Sequence, residues 1–155
     1  MHGRFSLAKR CRIVLKPIFL TQNFYSDYAH CSEIEKKDTR PYVRIQIQID
    51  GVLWAIPLRS HIRHEHVIWT DKENGCGIDF SKAVVVNKPD EYISNEKVYI
   101  RQNEFAALKR INKYTVVQKM QQYIKAYQDA KEHPEIPRNK QLLEFSTLQY
   151  FEEFL

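Results

Sequence analysis

The chain of 155 residues lacks the long apolar segments of membrane proteins. Its N-terminal apolar stretch, residues 13–20, is interrupted by Lys16 and Pro17. It is far shorter than the roughly 18 residues that a membrane-spanning helix needs. The basic segment before it has neither the apolar region nor the small-residue cleavage site of a secretory signal. These absences predict a cytoplasmic protein without a membrane partner.

Glycine and cysteine are also scarce. The four glycines form no phosphate-binding loop, and no G-x-S-x-G motif of a hydrolase is present. Three cysteines (Cys11, Cys31 and Cys76) are scattered without a C-x-x-C pair. An odd, unpatterned set of cysteines is typical of reduced thiols in a cytosol.

The composition is that of a folded domain with a basic surface. Apolar residues make up 43% of the chain, and the formal net charge is +5. The charge favours a polyanionic partner such as nucleic acid, although many basic proteins bind none. We predict a basic N-terminal arm or extension over residues 1–17 and a single domain over residues 18–155.

The most informative segment is a predicted β-hairpin. Residues 42–49 alternate strictly between apolar and polar side chains, and Asp50-Gly51 follows as a strong two-residue turn signal. That turn pairs Ile49 with Val52, Ile47 with Trp54, Ile45 with Ile56, and Val43 with Leu58. Since every pair is apolar, one face of the hairpin is expected in the core, with Trp54 buried.

The same register gathers polar groups at the open end of the hairpin. It places Tyr42 opposite Arg59 and Arg40 opposite His61, with Ser60 between them. Histidine suits acid–base chemistry near neutral pH, and guanidinium or hydroxyl donors suit a charged phosphoryl group. These are the groups that metal-free RNA cleavage by the 2′-hydroxyl requires. A solvent-exposed basic strand end is the simpler alternative.

The fold class predicted from the remaining segments is α+β. Short apolar runs at residues 18–20, 66–69, 78–80, 83–86 and 98–100 predict further strands, and capping signals at Thr21 or Asn23, Asn103, Thr115 and Ser146 predict helices. We expect a compact, strongly bent antiparallel β-sheet with helices packed against it. An apolar stripe of Val117, Met120, Ile124 and Tyr127 is expected to face the core.

The order and spacing of several short motifs resemble one protein family. The motifs are Phe24-Tyr25, Arg40-Pro41-Tyr42, Asp50-Gly51, the segment 55–61 with His64, the segment 77–86, and the segment 145–152. Together they resemble the endoribonuclease toxins of type III toxin–antitoxin systems, in particular the CptN/TenpN branch, with ToxN and AbiQ as more distant relatives. The resemblance covers residues 18–155.

The resemblance implies a Kid/MazF-like toxin core and an endoribonuclease that needs no metal or other cofactor. Attack by the 2′-hydroxyl would leave a 2′,3′-cyclic phosphate and a 5′-hydroxyl. A repetitive RNA antitoxin, folded as pseudoknots, would inhibit the enzyme in an RNA-mediated multimeric assembly. The biological role would be bacterial growth arrest, often in phage defence.

The resemblance also implies roles for individual residues. His61 would be the acid–base group, with His64 as its alternative, and Ser60 would donate to the phosphate. Arg40 and Lys82 would stabilise the charged phosphorane, and Tyr25 would orient the substrate. Further candidates for RNA binding, chosen for charge or position, are Tyr42, Arg59, Arg63, Lys109, Arg110, Arg138 and Lys140.

Three other functions remain open at this stage. The chain could be a non-catalytic RNA-binding module or a protein-interaction domain that binds no nucleic acid. The spacing of His61, His64 and His66 also permits a metal-dependent phosphoesterase. Metal sites usually draw ligands from several elements, however, and these three histidines lie within one short segment.

Overall fold

The Asp50-Gly51 turn joins strands β2 (Arg44–Ile49) and β3 (Val52–Arg59), and the predicted pairing is confirmed from Ile49–Val52 to Ile45–Ile56. A computed structural model describes residues 15–35 and 42–155 of the protein. In it, Asp50 and Gly51 have φ angles of 50° and 81°, the left-handed conformation that a tight hairpin turn requires. Ile47 pairs with Trp54, and Trp54 is buried as expected.

Four shorter strands complete an antiparallel sheet of six strands, which confirms the α+β class. They are β1 (Lys16–Ile18), β4 (Val67–Asp71), β5 (Cys76–Asp79) and β6 (Val84–Val85). The order is β1-β2-β3-β5-β4, and β6 pairs with β3 beside β5. Strand β1 includes Lys16 and Pro17, which the sequence-based boundary assigned to the N-terminal arm.

Strand β3 has two partners on one edge, and Pro57 lies between them. The N–H of Leu58 donates to Val43 O on the β2 side, so the backbone nitrogen of Pro57 faces the opposite edge. There a 3₁₀ helix (Phe80–Lys82) separates β5 from β6. A residue without an N–H fits this interrupted edge. The interruption leads the chain from Asp79 into a corner beside the end of β3.

The helices are α1 (Gln22–Asp27), α2 (Pro89–Tyr92), α3 (Gln102–Arg110), α4 (Lys113–Glu132) and α5 (Pro137–Phe145). Short 3₁₀ helices cover Lys72–Asn74, Thr147–Tyr150 and Glu152–Phe154. Thr21 caps α1 as predicted, and Ser146 caps the turn that follows α5 by accepting from the N–H of Leu148.

Four predictions about the C-terminal half are wrong in detail. Asn103 does not cap a helix, because α3 begins at Gln102 and Asn103 lies inside it. The long helix begins at Lys113 because Asn112 accepts from the N–H of Tyr114, so Thr115 lies inside the first turn. Its buried face is centred on Val116 and Tyr123 rather than on Val117 and Ile124, which are partly buried.

The run at residues 98–100 is not a strand. Val98 and Ile100 are partly buried and Tyr99 is exposed, and Ile100 packs against the core. Among the described residues, no helix combines the length and apolar character needed to cross a membrane.

Candidate functional site

Asp79, at the end of β5, is completely buried and organises the corner beside β3. Its Oδ2 accepts a hydrogen bond from the Arg59 guanidinium at 2.8 Å. Its Oδ1 accepts from the Ser81 hydroxyl at 2.6 Å and from the Ser81 N–H at 3.0 Å. His64 Nε2 lies 3.0 Å from the same oxygen. We call Asp79, Arg59, Ser81 and His64 the anchor cluster.

Asp79 and Arg59 of the anchor cluster are both charged at neutral pH. Burial by itself would raise the pKa of Asp79, but hydrogen bonds from His64 and Ser81 and the Arg59 guanidinium outweigh it and hold the pKa at about 2. Burial would lower the pKa of Arg59, but Asp79 and Glu35 raise it instead. Arg59 also contacts Glu35 at 2.9 Å. The guanidinium therefore bridges two carboxylates.

Both ring nitrogens of His64 are engaged. Nδ1 accepts a hydrogen bond from the N–H of His66 at 3.0 Å, so the neutral ring carries its proton on Nε2. Nε2 lies within hydrogen-bond distance of Asp79 and, at 3.1 Å, of the Ser81 hydroxyl. In this arrangement His64 has no nitrogen left for a substrate, and it fixes the loop between β3 and β4.

Ser60 and His61 differ from the anchor cluster in being exposed. His61 has a φ of 58°, an unusual conformation for a residue other than glycine. Its Nδ1 lies 3.1 Å from the Ser60 hydroxyl. The next residue, Ile62, is buried, and its N–H donates to Gly75 O at 3.0 Å. We call Ser60 and His61 the presented pair.

Two cavities flank this loop. The first, of about 350 Å³, is lined by Tyr42, Arg59, Ser60, Tyr99 and Arg101 among others. The second, of about 590 Å³, lies between the β3–β4 loop and helices α4 and α5. We call it the α4–α5 cavity. Its walls include Arg63, His66, Tyr123, Arg138, Gln141 and Phe145. Arg59 contributes to both cavities, since it lies between them.

The remaining candidate residues have diverse surroundings. Lys82 lines the α4–α5 cavity, but its Nζ contacts Glu33 at 2.8 Å and Phe145 O at 2.7 Å. Tyr25 is 8% exposed and packs edge-on against Phe24 in the core, at 5.4 Å between ring centroids. Arg40 lies outside the described residues.

The exposed cations of helices α3 and α5 are spread over the surface. Lys109, Arg110 and Lys140 are exposed, and Lys109 Nζ lies 4.5 Å from the centre of the Phe105 ring. Arg63 and Arg138 are also exposed, but they meet at the α4–α5 cavity from two different elements. The structure thus brings together only part of the predicted RNA-binding set.

The three neighbouring histidines have separate surroundings. The rings of His64 and His66 lie 5.7 Å apart, and His66 packs edge-on against Tyr123 at 5.0 Å. Within residues 15–35 and 42–155, no group of three or more histidine, cysteine, aspartate or glutamate side chains is placed to hold a metal ion.

Sequence reasoning missed Asp79 and considered His66 only as a metal ligand. The signal for Asp79 was available, because an aspartate between Ile78 and Phe80 in an apolar strand is expected to be paired when buried. No pattern in the sequence indicated that His66 would meet Tyr123 across the fold. The chain matches no protein-family model, no curated protein and no solved structure, so the site is interpreted from its own geometry.

Proposed function

We propose that the protein is a metal-independent endoribonuclease, the toxin of a type III toxin–antitoxin system with a Kid/MazF-like core. The observation that carries the proposal is the presented pair: an exposed histidine in a left-handed conformation, 3.1 Å from a serine hydroxyl. Such backbone conformations persist where the surrounding structure holds them, and they are enriched at functional sites. Here the buried contacts on both sides of the pair provide that support.

The proposed reaction uses the RNA's own nucleophile. A base removes the 2′-hydroxyl proton, the 2′ oxygen attacks phosphorus, and the bond from phosphorus to the 5′ oxygen breaks. An acid protonates the departing 5′ oxygen, so the products are a 2′,3′-cyclic phosphate and a 5′-hydroxyl. His61 would serve as an acid–base group, and the Ser60 hydroxyl would donate to a phosphoryl oxygen.

Two guanidinium groups beside the presented pair, each also paired with a carboxylate in the fold, support a phosphodiester substrate. Arg59 lines the cavity that contains Ser60, and Arg101 lines the same cavity from the start of α3. Tyr99 lies beside them with 78% of its surface exposed. An exposed aromatic ring next to guanidinium groups can stack an unpaired base while the cations bind its phosphate.

The roles that the resemblance gives to other residues belong to the same proposal. Lys82 could reach a phosphorane only after leaving Glu33, because the two side chains form an ion pair. The proposed inhibitor, a pseudoknot RNA antitoxin, would compete for the same cationic surfaces. A finite toxin–RNA assembly would follow from its repeated units.

A non-catalytic RNA-binding module is the second candidate, and one observation favours it. Arg59, His64 and Lys82 already have protein partners, so the charged groups nearest the corner are engaged within the fold. That arrangement would suit a surface that binds RNA without cutting it. The two functions make opposite predictions for His61.

The test is to express the wild-type chain and His61→Ala without antitoxin and to map RNA ends in excess EDTA. We expect new 5′-hydroxyl ends from the wild type and their loss in the variant. His30→Ala is the matched control, because His30 is also exposed but lies in the turn that follows α1, outside the site. RNA binding without new ends would favour the binding module. Cleavage that EDTA abolishes would refute the metal-independent reaction.

A further inference from the structure

The α4–α5 cavity has the size and shape of a small-ligand site. Its volume of about 590 Å³ falls within the range of roughly 300–1,000 Å³ that is usual for such pockets. One wall is the β3–β4 loop with Arg63 and His64, and the facing wall is α5 with Arg138 and Gln141. Because the β3–β4 loop is more than 50 residues before the lining residues of α4 and α5, only the folded chain assembles this site.

The lining combines the groups that recognise a nucleotide. Arg63 and Arg138 are exposed and, within the described parts of the chain, neither forms an ion pair. They can bind a phosphate at the cavity mouth. Tyr123 and Phe145 supply aromatic surface, and 48% of Phe145 is exposed. Gln141 adds an amide that can both donate to and accept from the edge of a base.

His66 is the most distinctive group in the cavity. It is half-buried, and burial, followed by the electrostatic effect of nearby His64, lowers its pKa, which favours the neutral ring. A neutral imidazole has one donor and one acceptor nitrogen. In the described residues neither ring nitrogen of His66 has a hydrogen-bond partner, whereas both nitrogens of His64 have one. His66 is therefore available to a ligand.

The other charged groups around the cavity leave its positive charge uncancelled at the mouth. Lys82 is paired with Glu33, and Arg59 is paired with Glu35 and Asp79. Glu65 is the acidic residue in the lining, and it is exposed. Two unpaired guanidinium groups therefore face one exposed carboxylate. This balance favours an anionic ligand with an aromatic part.

We propose that the α4–α5 cavity binds one unpaired nucleotide of an RNA strand. Arg63 and Arg138 hold its phosphate, and His66 and Gln141 contact the edge of its base beside Tyr123. The proposal rests on the endoribonuclease function and deepens it, since it places a base-reading subsite across Arg59 from the presented pair. Selection of the cleaved sequence would depend on this subsite.

The experiment titrates the purified full-length protein with each of the four ribonucleoside 5′-monophosphates and follows the histidine ring signals by NMR. We expect a saturable shift of the His66 signal that differs among the four bases. Arg138→Ala should weaken binding about tenfold or more, as loss of a charge-assisted hydrogen bond predicts. Lys125→Ala, an exposed cation of α4 outside the cavity lining, should leave binding unchanged.

Two results of the titration would each overturn the proposed subsite. In one, inorganic phosphate shifts His66 as strongly as any nucleotide. In the other, Lys125→Ala weakens binding as much as Arg138→Ala does. Because the readout is binding, it is independent of cleavage: nucleotide binding without any RNase activity would refute the proposed function and keep the subsite. If Arg138→Ala and His66→Gln instead cleave RNA with unchanged base preference, and no nucleotide shifts the His66 signal, the subsite is refuted and the proposed function is kept.

Discussion

The anchor cluster and the presented pair both draw residues from the segment 59–64, yet they use similar residues in opposite ways. Arg59 and His64 turn inward to the buried carboxylate of Asp79. Ser60 and His61, between them in the sequence, remain exposed and contact each other. The two histidines differ in hydrogen bonding rather than in chemistry, since His64 has partners on both nitrogens. Residue type alone therefore does not identify the acid–base group.

The anchor cluster, not the presented pair, is expected to contribute to the free energy of unfolding. Three side chains and one backbone N–H converge on Asp79, so an ionised carboxylate is tolerated at complete burial. The exposed half contributes few contacts and carries the unusual φ of His61. If this division is correct, variants of the anchor cluster should lower the free energy of unfolding, and variants of the presented pair should not.

Asp79→Ala should have the largest effect on stability. Removing the carboxylate leaves the half-buried guanidinium of Arg59 with Glu35 as its remaining acidic partner among the described residues, and it leaves Ser81 and His64 without their acceptor. We expect the free energy of unfolding in urea to fall by about 3–5 kcal/mol, which is typical when one partner of a buried ion pair is deleted.

The control for this experiment is Asp129→Ala, because Asp129 is exposed on α4. It should change stability by no more than about 0.5 kcal/mol. An Asp79→Ala protein as stable as this control would mean that the anchor cluster contributes nothing to the fold.

The second-largest expected effect is a loss of stability at acid pH, when Asp79 is protonated. The pKa of Asp79 is held at about 2 in the folded protein, below its ordinary value of 3.8. Its stabilising contribution is therefore complete above about pH 4 and is lost as the pH falls through 2. The shift corresponds to roughly 2 kcal/mol. Urea unfolding of the wild type and Asp79→Asn between pH 6 and pH 2 checks this.

The difference in stability between these two proteins should shrink by that amount on acidification. The subtraction removes the contribution of other carboxylates, such as Glu152, whose pKa is lowered by its hydrogen bond from Lys131. Parallel pH profiles for the two proteins would show that Asp79 does not titrate as we infer.

The contrast also explains what the sequence could predict. The hairpin register depends on local alternation and on a two-residue turn, so it was predictable from the residues around Asp50-Gly51. The inward direction of His64 depends on Asp79 and on a 3₁₀ helix whose path is set by the interrupted edge at Pro57. Such long-range contacts leave no periodic signal. For the same reason the meeting of His66 with Tyr123 could not be foreseen.

His64→Ala should have a smaller effect, of about 1–2 kcal/mol. The substitution removes a donor to Asp79 and the acceptor of the His66 N–H, while Arg59 and Ser81 still hold the carboxylate. Urea unfolding measures the loss, and His64→Gln should recover part of it because its amide can again donate to Asp79. A cleavage defect in His64→Ala that His64→Gln relieves would support a positioning role. Complete loss of cleavage in both variants at unchanged stability would assign the acid–base role to His64.

The smallest effect on stability is expected at His61. This prediction is the strictest test of the difference between the anchor cluster and the presented pair. His61→Ala should change the free energy of unfolding by no more than about 0.5 kcal/mol, because the side chain is exposed and, within the described parts of the chain, hydrogen-bonds to Ser60 alone. His61→Gly should equal or slightly exceed the wild type, since glycine adopts a φ of 58° without strain. Both variants should nevertheless lose cleavage equally. If instead both unfold more than 1 kcal/mol below the wild type, His61 is an anchor like His64, and the division between buried support and exposed chemistry does not hold.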